Sequence, residues 1–169
     1  MKFILSFFFV ISAFSASSQD CLYSDEVDKF SGNRVQTSNG SIIKYKGVIY
    51  NLYFTKTTID TSEYFDLRFV MNAYGSNSLL VGEGDKLQII FAGGSKLELK
   101  SSKIVKTNFV GGRSIVNVPY SISKEDLFRL SQLTITDIRF HTNDSYSDIV
   151  VKKYKVQSKI IEAATCILG

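Results

Sequence analysis

One segment of the chain alternates between apolar and polar side chains: FDLRFVMN, residues 65–72. Its apolar residues recur at every second position from Phe65 to Met71, and Asp66 and Arg68 stand between them. Successive side chains of a strand point to opposite faces of the sheet, so this pattern predicts a strand with one buried face.

The same alternation recurs on both sides of a glycine pair, in residues 87–91 and 97–99 around Gly93-Gly94. Glycine readily adopts the positive φ that a tight hairpin turn requires, so we expect a hairpin here. A second hairpin is predicted for 134–142 and 146–151, about Asn143-Asp144-Ser145. The other predicted strands are rich in β-branched and aromatic residues. They are 35–37, 42–46, 49–57, 104–109 and 115–120.

Two stretches follow a helical period instead. The first begins after Ser123, an N-cap residue with acidic side chains in the turn that follows, and predicts one short helix. Its apolar residues are Leu127, Leu130 and Leu133. The second predicts a C-terminal amphipathic helix, with lysines opposite an apolar stripe. The members of that stripe are Tyr154, Ile160, Ile161, Ala164, Ile167 and Leu168.

Turn signals recur along the chain at short spacing: Asn39-Gly40, Gly82-Glu83-Gly84-Asp85, Gly93-Gly94 and Gly111-Gly112. Such spacing is typical of all-β sandwiches and barrels. The predicted fold is mainly β: an antiparallel β-sandwich, or a partly open barrel, with one short helix and a C-terminal amphipathic helix. A chain of 169 residues without repeats or linkers suits one domain.

The first residues have the pattern of a secretory signal peptide, since residues 3–14 are almost entirely apolar and small polar residues follow. Ala16 and Ser18 fit the small positions before a cleavage at Gln19; cleavage after Ser15 or Ala16 also fits. We expect a signal peptide at 1–18, a single β-rich domain at 19–169 and a secreted or periplasmic location.

Two alternatives to signal cleavage keep the chain at a membrane. An uncleaved anchor would need roughly 20 apolar residues, and the run is shorter. A lipid anchor on Cys21 would need a small residue before it, where Asp20 stands. We therefore expect no stable membrane insertion after signal removal.

Export changes the meaning of the two cysteines, Cys21 and Cys166. Thiols oxidise outside the cytosol, and an even number of cysteines there indicates a disulfide. A bond between Cys21 and Cys166 would join the two ends of the mature chain. Two free buried thiols are the alternative.

Several segments resemble a family of small secreted β-rich proteins of Gram-negative bacteria with paired terminal cysteines, a family without an assigned activity. The segments are 21–23, 25–32, 84–87, 94–97, 120–127, 138–142 and Cys166. The resemblance covers nearly the whole mature chain, and it implies an exported β-rich domain and no catalytic residue. The sequence departs from the family at Asn143-Asp144-Ser145, where the family pattern has a glycine.

Candidate residues for chemistry are few. His141 is the single histidine, and alternation places it on a strand facing away from Ile138 and Phe140. One histidine and two distant cysteines leave too few ligands for a structural zinc site. The sequence also lacks the G-x-S-x-G pattern of a hydrolase nucleophile.

Three further motifs have both a functional and a structural interpretation, and the structural one is favoured for each. Gly82-Glu83-Gly84-Asp85 contains cation ligands but reads as a turn. Glu125 and Asp126 form a carboxylate pair but suit a helix start. Gly111-Gly112-Arg113 contains a phosphate-binding composition but lacks a following helix. We therefore predict no catalytic, cofactor-binding or metal-binding residue, and no cofactor.

The basic and aromatic residues do not identify a binding partner. Lys152, Lys153, Lys155 and Lys159 beside Tyr154 suit a solvated helix face, and a formal charge of +4 for the full sequence is too mild to indicate nucleic acid. Tyr45, Tyr50 and Tyr53 could stack on sugars or pack a core.

The functional hypothesis is a non-enzymatic binding or structural module at the cell envelope, with a protein or glycan partner. The alternative is a carboxylate-dependent hydrolase acting on glycans. That enzyme requires two carboxylates facing each other across a cleft, about 5–10 Å apart.

Overall fold

The structure is a computed structural model that describes residues 21–75 and 78–169. The predicted signal peptide, residues 1–18, lies outside the described residues. The elements of the described part follow this order: β1 (Leu22–Val27), β2 (Arg34–Ser38), β3 (Ser41–Tyr45), β4 (Val48–Ile59), β5 (Ser62–Tyr74), β6 (Leu80–Val81), β7 (Lys86–Phe91), β8 (Lys96–Lys100), β9 (Val105–Lys106), β10 (Asn108–Val110), β11 (Arg113–Ile122), α1 (Lys124–Gln132), β12 (Ile135–His141), β13 (Tyr146–Val150) and α2 (Tyr154–Leu168).

The strands form two large antiparallel sheets and one small one. The seven-stranded sheet has the order β1-β2-β4-β5-β11-β10, with β3 also paired to β4. The four-stranded sheet has the order β13-β12-β7-β8, and β6 pairs with β9. The alternating segment 65–72 lies in β5, between β4 and β11, and its apolar residues from Phe65 to Met71 are buried. That prediction is confirmed.

The two larger sheets enclose one apolar core, which confirms the mainly β fold class and agrees with a sandwich. Phe69 of β5 contacts Phe140 of β12 across the core, with ring centroids 4.9 Å apart. On one side of the sandwich, an isolated bridge pairs Ser101, just after β8, with Tyr120 of β11. The sheets are thus linked on the β8–β11 side.

Both glycine-pair turns form hairpins. Gly93 and Gly94 have φ values of 98° and 83° between β7 and β8, and Gly111-Gly112 also has positive φ between β10 and β11. The hairpin of β12 and β13 closes with a hydrogen bond from the Thr142 N–H to the Ser145 carbonyl, 2.8 Å long. The hairpin therefore forms around Asn143-Asp144-Ser145 without a glycine in the turn.

The Asn39-Gly40 signal is not a hairpin turn. β2 and β3 do not pair with each other; both pair with β4, end to end along the same edge. Thr37 opposes Thr55 and Ser41 opposes Leu52. The segment from Thr37 to Ser41 is therefore one residue longer than the segment of β4 that it opposes. This geometry is that of a bulge, which explains why Asn and Gly occur there without a chain reversal.

Three strand assignments differ from the sequence prediction. The single strand expected at 104–109 is wrong, because β9 pairs with β6 whereas β10 pairs with β11. β1 and β6 were not predicted. β1 is mostly exposed and lacks a clear apolar alternation, and β6 has only two residues.

Both predicted helices form and pack against each other. Ser123 caps α1, since its Oγ accepts the Asp126 N–H at 3.0 Å, and Leu127 and Leu130 are buried. α2 buries Ile160, Ala163, Ala164 and Ile167. The predicted stripe was wrong at Tyr154, whose side chain is 82% exposed at the first turn.

The two cysteines form the expected disulfide, with Cα atoms 6.0 Å apart and a sequence separation of 145. It joins the start of β1 to the last turn of α2.

Candidate functional site

The outer face of the seven-stranded sheet has a groove of about 630 Å³. β4 turns Leu52 and Phe54 into the core, so Asn51, Tyr53 and Thr55 point to the outer face. The residues that line the groove come from β1, β2, the bulge, β4 and β5. They are Tyr23, Ser24, Val35, Thr37, Ser38, Gly40, Asn51, Tyr53, Thr55 and Arg68.

Strand pairing sets the arrangement of the groove. Tyr53 opposes Arg68 across the β4–β5 ladder, and the Tyr53 hydroxyl accepts the Asn117 Nδ2–H of β11 at 3.4 Å. Thr55 is only 7% exposed although it faces outward, because neighbouring side chains of the groove cover it. At the rim, Tyr23 is 80% exposed.

Arg68 is half-buried in this groove, and within the described residues no carboxylate lies within 4.0 Å of its guanidinium. The other arginines each have a partner: Arg34, Arg129 and Arg139 pair with aspartates, and Arg113 donates to the Tyr74 hydroxyl at 2.8 Å. An arginine held in a concave surface without a counter-charge is available to an anionic ligand.

The Asn51 amide occupies a tight position beside the bulge. A Cβ at Gly40 would lie 2.7 Å from Asn51 Nδ2, so a larger residue at this position would displace the Asn51 amide. The Asn51 Oδ1 is buried and accepts no hydrogen bond from the described residues. A buried acceptor without a donor costs free energy, and in native structures it often accompanies function or bound water.

The bulge holds the rim of the groove in place. Ser38 Oγ accepts the Phe54 N–H at 2.9 Å where the regular ladder is interrupted. The Asn39 N–H donates to the Cys21 carbonyl at 2.9 Å. Cys21 is also linked to α2 through the disulfide. The same residue therefore connects the rim of the groove to α2.

His141 does not lie in this groove. It is half-buried on the outer face of the four-stranded sheet, as alternation predicted, with Nε2 3.5 Å from Gln88 Oε1. Nearby, Arg139 forms a two-hydrogen-bond ion pair with Asp148, at 2.6 and 2.9 Å. This pair lowers the pKa of the Asp148 carboxyl. Among residues 21–75 and 78–169, no three histidine, cysteine or acidic side chains are grouped as metal ligands.

The remaining sequence candidates take structural positions. The Asp85 carboxylate accepts the Gly82 N–H at 2.7 Å and closes a turn. Asp126 belongs to the α1 cap, and Gly111-Gly112 to a hairpin. Of the three tyrosines, Tyr50 is 4% exposed in the core, Tyr45 is half-buried and Tyr53 lines the groove.

A second groove contains two carboxylates, those of Glu63 and Asp66. Glu63 forms ion pairs with Lys56 at 2.7 Å and Lys124 at 3.1 Å. Hydrogen bonds from these two lysines lower the pKa of the Glu63 carboxyl. A glycosidase acid needs a raised pKa, so the environment of Glu63 opposes that role.

No helix of the described residues is long and apolar enough to cross a membrane. A disulfide is typical of proteins in oxidising compartments outside the cytosol.

Comparison with known proteins gives no relative: no protein-family model, curated protein or solved structure matches the chain.

Proposed function

We propose that this chain is an exported, non-enzymatic binding module of the cell envelope, and that the outer groove binds an oligosaccharide carrying a carboxylate. The observation that carries the proposal is the Arg68 guanidinium, which has no carboxylate partner in the described part of the chain and is half-buried between aromatic and hydroxyl side chains. A guanidinium binds a planar carboxylate through two parallel hydrogen bonds.

The rest of the groove suits the neutral part of such a ligand. Tyr23 and Tyr53 offer aromatic faces for the apolar side of a sugar ring, together with hydroxyls for hydrogen bonding. Ser24 and Thr37, both half-buried in the lining, supply short polar groups for sugar hydroxyls. Ligand sites commonly combine a concave surface with a few placed polar groups, and a volume of about 630 Å³ falls in their usual range.

The predicted signal peptide and the disulfide support a secreted or periplasmic location, where such glycans occur. The resemblance to secreted β-rich proteins of Gram-negative bacteria supports the same proposal.

The proposal is tested by calorimetric titration of the oxidised mature domain, residues 19–169, with a uronic acid hexamer and a glucose hexamer. We expect binding of the uronic acid hexamer. Arg68→Gln should weaken that binding at least tenfold, which corresponds to about 1.4 kcal/mol. Arg113→Gln, on the same sheet but paired with Tyr74, is the matched control and should bind normally.

Two results would contradict the proposal. One is the absence of binding to any acidic oligosaccharide by a correctly folded domain. The other is an equal loss of binding in Arg68→Gln and Arg113→Gln, because that would show a general charge effect rather than a site.

A further inference from the structure

A third groove, the edge groove, lies on the side of the sandwich opposite to the Ser101–Tyr120 link. It lies between β3 and β13, which within residues 21–75 and 78–169 pair only with β4 and β12, respectively. The groove has a volume of about 590 Å³, and its lining comes from 42–45 on β3 and from 150–153 and Val156 on the other side. Two strand edges therefore border one groove.

Both edges present backbone groups to this groove. Tyr45 and Val48 flank a two-residue turn, so they form the hydrogen-bonded pair that closes the β3–β4 hairpin. By alternation, Ile42 and Lys44 direct their N–H and C=O groups to the free edge. At the end of β13 the Val151 N–H donates to the Thr136 carbonyl. By alternation, the N–H and C=O groups of Val150 therefore point to the free edge.

The groove is apolar at its base and cationic at its rim. Lys44, Lys152 and Lys153 are its charged residues, and no acidic side chain lines it. Within the described residues, none of these three lysines lies within 4.0 Å of a carboxylate. The positive charges of these lysines are therefore not offset by an ion pair in this part of the structure.

The position of two of these lysines costs helix stability. Lys153 is the N-cap of α2 and makes no side-chain capping hydrogen bond, and the first turn has no acidic residue. Cations are unfavourable at a helix N-terminus, where the N–H groups give a partial positive charge. The lysines therefore add to the positive potential of the helix end, which suits an anionic partner.

We propose that this groove binds an acidic peptide segment, in extended conformation, that adds a strand to the edge of β3 or β13. Main-chain hydrogen bonds would hold the segment, apolar side chains would enter the base, and acidic side chains would meet the lysines. A second copy of this chain fits poorly, because its own groove would bring lysines against lysines.

The test uses a fluorescently labelled octapeptide of alternating Glu and Val, with anisotropy as the readout. We expect saturable binding that weakens as salt is raised, and binding at least tenfold weaker for the octapeptide of Gln and Val. Methylation of alternate backbone nitrogens on the edge-facing side of the acidic peptide should abolish binding, because it removes the strand hydrogen bonds and leaves the charge.

Protein variants locate the site. The triple change Lys44→Gln, Lys152→Gln, Lys153→Gln should weaken peptide binding at least tenfold. The matched control, Lys29→Gln, Lys103→Gln, Lys106→Gln, removes three exposed lysines outside the lining and should bind normally. Arg68→Gln should also bind the peptide normally, so a failure of the glycan proposal leaves this one standing.

Three outcomes would overturn the inference. The first is that the methylated peptide binds as tightly as the unmethylated one, and the second is that both triple variants lose peptide binding equally. The third is that the protein binds anionic lipid vesicles or a second copy of itself but does not bind the acidic peptide. Sedimentation of the free protein and of protein mixed with vesicles separates the last cases.

Discussion

At the scale of single residues, the Tyr120 hydroxyl is the clearest unpaired group of the core. The side chain is fully buried, and its Oη forms no hydrogen bond with the described residues. Burial, with a smaller contribution from the negative charge of Asp85, raises the pKa of Tyr120. The folded protein therefore holds this tyrosine neutral at a pH where the unfolded chain ionises it.

We predict that Tyr120→Phe is neutral or stabilises the fold by about 1 kcal/mol near neutral pH, because it removes an unsatisfied buried group. The raised pKa contributes stability that is complete below about pH 10 and is lost as pH rises above it, at about 1.4 kcal/mol per unit. Urea unfolding at pH 8, 10 and 11 should show a shallower loss for Tyr120→Phe than for wild type. Tyr64→Phe, at an exposed ring, is the control; a destabilised Tyr120→Phe would contradict the prediction.

Gly40 is the residue on which the outer groove depends most directly. In Gly40→Ala, the new Cβ would meet the Asn51 amide and displace it, at a cost of about 1–3 kcal/mol. We expect lower stability in urea and weaker binding of the acidic oligosaccharide. Gly82→Ala is the matched control, because its Cβ would lie 3.5 Å from Asp85 and its φ is not positive; equal losses in both variants would contradict this account.

At the scale of secondary-structure elements, α2 begins with a feature that lowers its own stability. Lys153→Asp would supply the missing N-cap side chain and remove a cation from the helix start, so we expect it to stabilise the domain by about 1 kcal/mol. The same change should weaken binding of the acidic octapeptide. Thermal unfolding and anisotropy measure the two effects, and Lys155→Asp, within the first helical turn, separates the capping contribution from that of charge. A destabilised Lys153→Asp would show that the lysine supports the helix.

The secondary-structure elements also show which parts of the fold can be predicted from local sequence. β5 and the β7–β8 hairpin were predictable because one face of each is buried and glycines fix the turn. The Asn39-Gly40 bulge was not, because a turn and a bulge use the same residues, and only the length of β4 decides between them. Tyr53 was a sequence candidate, but Arg68 was not, because it joins the groove only through its cross-strand register with Tyr53.

At the scale of the whole molecule, the outer groove and the edge groove are each formed by residues that are far apart in sequence. The outer groove is built from β1, β2, the bulge, β4 and β5, and the edge groove from β3, β13 and the start of α2. No short segment contains either one. The disulfide is a covalent cross-link between the residue that precedes β1 and the last turn of α2, the first strand and the last helix of the described residues.

Removal of that link should therefore affect both stability and the outer groove. A loop closed over 145 residues gives about 5 kcal/mol in the chain-entropy model, an upper value because strain in the folded state subtracts from it. Domains of this size have about 5–15 kcal/mol in total, so the double variant Cys21→Ser, Cys166→Ser should remain folded at 15 °C with a much lower urea midpoint. Because Cys21 holds the bulge through its carbonyl, binding at the outer groove should weaken more than binding at the edge groove. Wild type in reductant should behave like the double variant, and an unchanged midpoint under both conditions would mean that the sheets and helices alone determine stability.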